Sequence, residues 1–263
     1  MFRDIWIKSL WDSRRALLGW MMGLIAVTVV YGAFYPFMAD PAYSDLLETL
    51  PPGLIEAMGW EDFNTAEGYM GAAVFGVLGQ VLVVILGVTM GARLLAGDEE
   101  SGGLELLIAH PVSRSRVLLQ RTLTLTLVMV AAGLAVFLAI LALSGPIDLG
   151  LPPAHLAAAA FQLALLGLLF GALALAIGGV TGRKGAVIAV TAAVAVMAYL
   201  ADTMAPMVES LAWVERLSPF DWYDPTEILR SGAASADIAL CLAVSAIFVV
   251  IGLLGFQRRD VGV

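Results

Sequence analysis

Cysteine, histidine and charge are all scarce in this sequence. Its one cysteine, Cys241, sits inside an apolar run, and its histidines are His110 and His155. One thiol closes no internal disulfide, and no cysteine cluster of metal-binding type is present. Charged residues make up 14% of the chain, where a soluble domain has about a quarter. There is no Gly-x-x-x-x-Gly-Lys-Ser/Thr phosphate loop, so no nucleotide site of that type is encoded. No carboxylate pair and no serine–histidine–acid set falls at membrane depth, which speaks against an intramembrane hydrolase. The start, Met1 to Arg15, lacks the short apolar core and small-residue cleavage site of a secretory leader, and no cleaved leader is expected.

Apolar surface is what the chain has in excess. Apolar residues make up 60% of it, with a mean hydropathy of +0.92. A helix needs about 20 mostly apolar residues to cross the hydrocarbon core. Six segments qualify, 16–37, 69–96, 123–143, 156–180, 185–201 and 238–256. They are spread from one end to the other, so the expectation is one all-α integral membrane domain over 1–263.

Sidedness follows from lysine and arginine, which favour the cytoplasmic loops. Arg3, Lys8, Arg14 and Arg15 precede the first segment. Arg93, Arg114, Arg116 and Arg121 flank the loop between the second and third. Arg183 and Lys184 lie between the fourth and fifth, and Arg258 and Arg259 follow the sixth. Only Arg216 and Arg230 fall on the other side. The expected topology therefore puts both termini in the cytoplasm and His110 and His155 on opposite sides, too far apart to share a metal. The acidic residues sort the other way. Asp40, Asp45, Glu48, Glu56, Glu61, Asp62 and Glu67 fall in the outer segment 38–68. Asp202, Glu209, Glu215, Asp221, Asp224, Glu227 and Asp237 lie in or beside the outer segment 205–236, and Asp148 is outside as well. The net charge of −8 is thus the sum of two opposed faces. A negative outer face attracts cationic solutes or serves solubility.

The flanking stretches have patterns of their own. Residues 1–15 place Trp6, Ile7, Leu10 and Trp11 among Arg3, Lys8, Arg14 and Arg15, the composition of an amphipathic helix lying at the interface. In 38–68, Leu54 to Met58 follows the Pro51-Pro52 pair and reads as a short helix. In 205–236, Met207, Leu211, Val214 and Leu217 recur at helical spacing, and Trp213, Trp222 and Tyr223 are interface aromatics. That reads as a short helical hairpin dipping into the outer leaflet. Gly19/Gly23, Gly87/Gly91 and Gly167/Gly171 are small-residue pairs that permit close helix approach. Gln80 and Gln162 are the larger polar groups inside helices; they line a substrate path or bond between helices. Charge is otherwise absent from the segment interiors, which disfavours an ion-coupled carrier.

The most informative stretch is 98–114, on the expected cytoplasmic side. Asp98, Glu99 and Glu100 precede Ser101, which suits a helix N-terminus by capping and dipole. Leu104, Leu107 and Ile108 form an apolar stripe, and Pro111 stops the helix. Asp98, Glu99, Glu100 and Glu105 are poorly suited to an anionic lipid surface, so a protein partner fits better.

This stretch resembles the cytoplasmic coupling region of ABC-type exporter permeases with the ABCG-like (type V) fold, the ABC-2 permease family. Those carry an acidic pair, a Gly-Thr-Leu-Glu-like step, leucines and Pro-Val-Ser-Arg; here Gly103 departs from the threonine. Leu217-Ser218-Pro219-Phe220-Asp221-Trp222-Tyr223-Asp224-Pro225, the terminal Phe256-Gln257-Arg258-Arg259-Asp260-Val261, and the approach from Leu50-Pro51 to Tyr69-Met70 are similar to the same family. The resemblance implies a permease that binds a separate cytoplasmic ATPase, two copies of each per transporter, with ATP and magnesium on the ATPase and no cofactor on this chain. It implies that the 99–109 helix docks in a groove of that ATPase, with Asp98, Glu99, Glu100, Ser101, Gly102, Leu104, Glu105, Leu107, Ile108, Pro111 and Arg114 as the coupling residues. Residues 1–15 would be the connecting helix. The expected location is the plasma membrane, as a multi-pass protein, without catalytic or metal residues and without a nucleic-acid partner. The second permease is a copy of this chain or a different one. Two other readings stay open at this stage. One is a module that passes ATP-driven motion to an outer-face protein without exporting a small molecule; the other is a secondary carrier or membrane enzyme.

Overall fold

The structure is a computed structural model that describes residues 5–40, 62–108, 112–204, 212–232 and 234–259. The short helix expected at Leu54 to Met58 and the first arm of the expected hairpin, with Met207 and Leu211, lie outside these residues. Every regular element among the described residues is a helix. They are α1 (Ile5–Ala33), α2 (Tyr35–Met38), α3 (Ala66–Glu100), α4 (Gly103–Ile108), α5 (Arg114–Ser144), α6 (Pro153–Thr181), α7 (Lys184–Met204), α8 (Ala212–Glu215), α9 (Pro225–Ser231) and α10 (Ser235–Arg258). Six of these, α1 (with α2), α3, α5, α6, α7 and α10, are long and apolar enough to span a bilayer. The protein is a multi-pass membrane protein.

The helices run past the expected boundaries. The third span begins at Arg114 rather than 123, and its 31 residues reach about 46 Å at ~1.5 Å per residue, against a hydrocarbon core of about 30 Å. The largest departure is at the start of the chain. A separate interfacial helix over 1–15 is not what the described residues build. Residues Ile5–Ala33 form one helix that lies beside α5 from end to end. The backbone N–H of Ile5 donates to Gln120 Oε1 at 2.7 Å. Near the other end, a Cβ on Gly32 would stand 3.0 Å from Leu143. Polar side chains on the inner face of that helix, Ser9 and Ser13, are buried, so the arm is held by a protein neighbour.

Helix α6 is the centre of the bundle. It packs against α3, α5, α7, α9 and α10 and is buried along most of its length. The glycine pairs explain how α3 approaches it so closely. A Cβ on Gly87 would fall 2.1 Å from the Gly167 carbonyl oxygen, and one on Gly91 would fall 2.4 Å from that of Gly171. In lipid, apolar side chains gain nothing by leaving solvent, so backbone proximity of this kind carries helix association. The Gly19/Gly23 pair differs: among the described residues, nothing outside its own helix lies within 4 Å of where their Cβ atoms would be. Helices α1, α7 and α10 turn rows of apolar side chains outward, among them Leu18, Met22, Val196, Met197, Ile247 and Val250.

Helix α3 is not regular. A π turn at Gly71–Phe75 ends at Gly76, whose ψ of −136° breaks the helix before it resumes at Val77. Such kinks arise at π bulges and glycines. Helix α9, between α7 and α10, closes over this break. Asp224 caps α9 by accepting from the N–H groups of Thr226 and Glu227, each at 3.0 Å, and Pro225 suits the first helical position. Just before it, the hydroxyl of Tyr223 donates to the Phe75 carbonyl at 3.1 Å. Tyr223 is fully buried, and that burial raises its phenol well above the ordinary range. His155 Nδ1 lies 2.9 Å from the Leu229 carbonyl oxygen, and Arg230 pairs with Asp62. The described part of 205–236 thus holds two short helices, α8 packed on α7 and α9 fastened to α3 and α6.

Candidate functional site at the 97–116 turn

The turn between α3 and α5 sits at the end of the bundle that carries most of the lysines and arginines. The acidic run was expected to start a helix; it ends one instead. Asp98, Glu99 and Glu100 are the last turn of α3. The Ser101 hydroxyl donates back to the Asp98 carbonyl at 3.1 Å, and Gly102 adopts φ of +74°. This is the left-handed geometry that glycine supplies at helix exits. The single 99–109 helix is therefore corrected to a helix end, a glycine turn and the separate six-residue helix α4. The cause is Gly102 followed by Gly103, which interrupts the helix that the leucine spacing favours.

Three carboxylates at a helix C-terminus face the negative end of its dipole, so cations must offset them. Each carboxylate finds a different helix. Asp98 pairs with Arg121 of α5. Glu99 pairs with Arg259, the residue after α10. Glu100 Oε1 accepts from the backbone N–H of Lys184 at the start of α7, at 2.8 Å. Arg121 is 7% exposed, and its Nη1 also donates to Ser9 Oγ at 2.7 Å. Ser9 Oγ in turn donates to the Ile5 carbonyl at 2.7 Å. Nearby, Arg93 Nη2 donates to the Asp12 carbonyl at 3.1 Å. Arg114 turns toward α10, where its Nη1 donates to the carbonyls of Phe256, at 3.1 Å, and of Arg259. A basic side chain on the last carbonyls of a helix is a favourable cap.

The residues singled out in the sequence thus divide. Asp98, Glu99, Glu100, Ser101 and Arg114 are engaged within the chain. Leu104 is fully buried and packs into the main core. Leu107 is half-buried. Glu105 and Ile108 lie in α4, with side chains outside the described set, and His110 and Pro111 are outside it altogether. The sequence did not single out Arg121, Arg259, Ser9 or Lys184 for this site. The available signal was electrostatic: an acidic run that ends a helix requires basic partners from elsewhere.

A second feature lies within the bundle. An apolar groove of about 380 Å³ opens between α3 and α7, lined by Val84, Val88, Thr89, Ile188, Tyr199 and Phe220 among others. Neither Gln80 nor Gln162 lines it. Gln162 is buried, and its Nε2 donates to the Trp222 carbonyl at 2.9 Å, an intramolecular brace. Gln80 is also buried. No group of three or more metal-ligating side chains occurs among the described residues.

Residues 4–261 match the family model described as ABC-2 family transporter protein. The chain belongs to the ABC-2 transporter family. No curated protein matches it beyond that. As an ABC-2 family member it is a membrane permease of an ABC transporter, and the match runs through all six spans and the 97–116 turn.

Proposed function

We propose that this ABC-2 permease is the membrane half of an ATP-binding-cassette exporter, with the 97–116 turn as the place where a separate cytoplasmic ATPase acts. The observation that carries this reading is the convergence of α1, α5, α7 and α10 on the last turn of α3. A force applied to α4, one glycine turn away, reaches all of those helices. The same end carries Arg14, Arg15, Arg116, Arg183 and Arg258, which by the charge rule is the cytoplasmic side. ATP and magnesium belong to the ATPase, in two copies, and a second permease completes the transporter across the outward face of α7. The groove between α3 and α7 suits an apolar or amphiphilic cargo, since apart from Thr89 and Tyr199 its lining is hydrocarbon.

The test is co-expression with an ATPase encoded beside this chain. The complex is expected to hydrolyse ATP, and the permease alone is not. Leu107→Asp, on the half-buried face of α4, should weaken the complex while leaving the permease folded. ATP turnover by the lone chain, or transport without any ATPase, would refute the assignment.

A further inference from the structure

The Glu99–Arg259 pair joins two helices that otherwise have little to do with each other. Helix α10 packs along α6 and more lightly on α5, but not along α3. Arg259 nevertheless touches the end of α3 through Glu99, and its own carbonyl is held by Arg114 at the start of α5. Its guanidinium also fills the turn between α6 and α7. Gly182 there has φ of +64°, and a Cβ on it would stand 1.9 Å from Arg259 Nη1. One residue thus contacts three other segments of the chain, the end of α3, the start of α5 and the turn between α6 and α7.

The pair is also more than α10 needs to be seated. Arg114 already caps the carbonyls of α10, and Gln257 Nε2 already donates to Ser115 Oγ at 2.8 Å. The Glu99 link adds α3 to that assembly. Both side chains of the pair are 19% exposed, so an unpaired charge there is poorly solvated and parting them is unfavourable. Arg259 Nε is buried with no hydrogen-bond partner among the described residues.

We propose that Arg259 is a positioning residue for coupling: a strut through Glu99 that makes α10 move as one body with the last turn of α3 when the 97–108 segment is displaced. This rests on the ATPase-coupled reading above. Glu99 and Arg259 are then force-bearing residues facing into the bundle, and the ATPase meets α4 rather than the acidic run.

The experiment uses the full permease with its ATPase, in a Cys241→Ala background, with nitroxide labels at Ser101→Cys and Arg258→Cys. Both positions are exposed and flank the pair without removing it. Pulsed dipolar spectroscopy, with labelled permease diluted into unlabelled, should give one narrow distance within a permease, the same in the nucleotide-free and vanadate-trapped complexes. Arg259→Gln should broaden it in the trapped state and change ATP turnover of the assembled complex by about threefold or more, within the range of couplings between contacting residues. The exchanged pair Glu99→Arg with Arg259→Glu should restore both. A wild-type distance that shifts on trapping overturns the strut, because the pair then parts. Arg259→Gln with unaltered distance and turnover overturns it as well. A wild-type permease that assembles with no ATPase overturns the coupling reading itself, which is a separate and recognisable failure.

Discussion

Arg121 bonds to Ser9 through one guanidinium nitrogen and to Asp98 through another, so a single buried side chain ties α1 to the end of α3. Removing the guanidinium leaves Asp98, at the negative end of a helix, without its cation and buried Ser9 without its donor. Arg121→Ala is therefore expected to lower the unfolding temperature in detergent sharply. Arg93→Ala, which loses a bond at an exposed site, should do much less. Equal shifts for the two would show that Arg121 is not buried as described.

The glycine contacts separate positions that look alike in sequence. Gly87→Leu places a side chain where the Gly167 carbonyl stands, and it should prevent α3 from packing on α6. Gly19→Leu meets no described residue of another helix and should leave a purified, folded monomeric unit. Size-exclusion profiles and thermal unfolding of both variants check this contrast.

Tyr223→Phe removes the donor to the Phe75 carbonyl and leaves that group unpaired. A buried polar group without a partner costs about 1–3 kcal/mol. The loss should appear in thermal unfolding, with faster hydrogen exchange around the Gly76 break and no change near α4.

Gly102 tests the turn. Its φ of +74° costs a residue with a β carbon about 1–2 kcal/mol, more for β-branched side chains. Gly102→Asn is expected to keep ATPase assembly nearly intact, since asparagine tolerates this region. Gly102→Val should reduce it. Pull-down of the ATPase by the two variants decides the point.

Asp221 gives a pH dependence. Burial first, and then Asp237, push its carboxyl above the usual range. The folded state therefore favours the protonated form. That contribution is fully present below the ordinary carboxylate value and is lost as pH rises through the raised one. Asp221→Asn should match the wild type in acid and exceed it in stability at neutral pH, as read from melting curves at both.

The spans were legible because each is a long apolar run bounded by charge, and Gly87/Gly91 and Gly167/Gly171 were legible because their spacing is local. The acidic run misled because serine and carboxylates cap helix starts, and the same residues here end a helix. The deciding partners lie outside the run, Arg121 23 residues from Asp98 and Arg259 160 residues from Glu99. Residues 1–15 misled for the same reason: tryptophans among arginines suit a membrane interface, but Ser9 and Gln120 bind the arm to α5. Contacts made across more than 100 residues leave no periodicity to find.

The separation of Glu99 and Arg259, 160 residues, has a consequence in time. Chains are made at about 5–20 residues per second, so the Glu99 carboxylate waits on the order of ten seconds before its partner has been synthesised. Every other segment that Arg259 touches is older than Arg259. Its arrival closes a ring whose other members are already in the membrane, and a chain stalled short of it would keep Asp98 and Glu100 engaged but leave Glu99 without its cation.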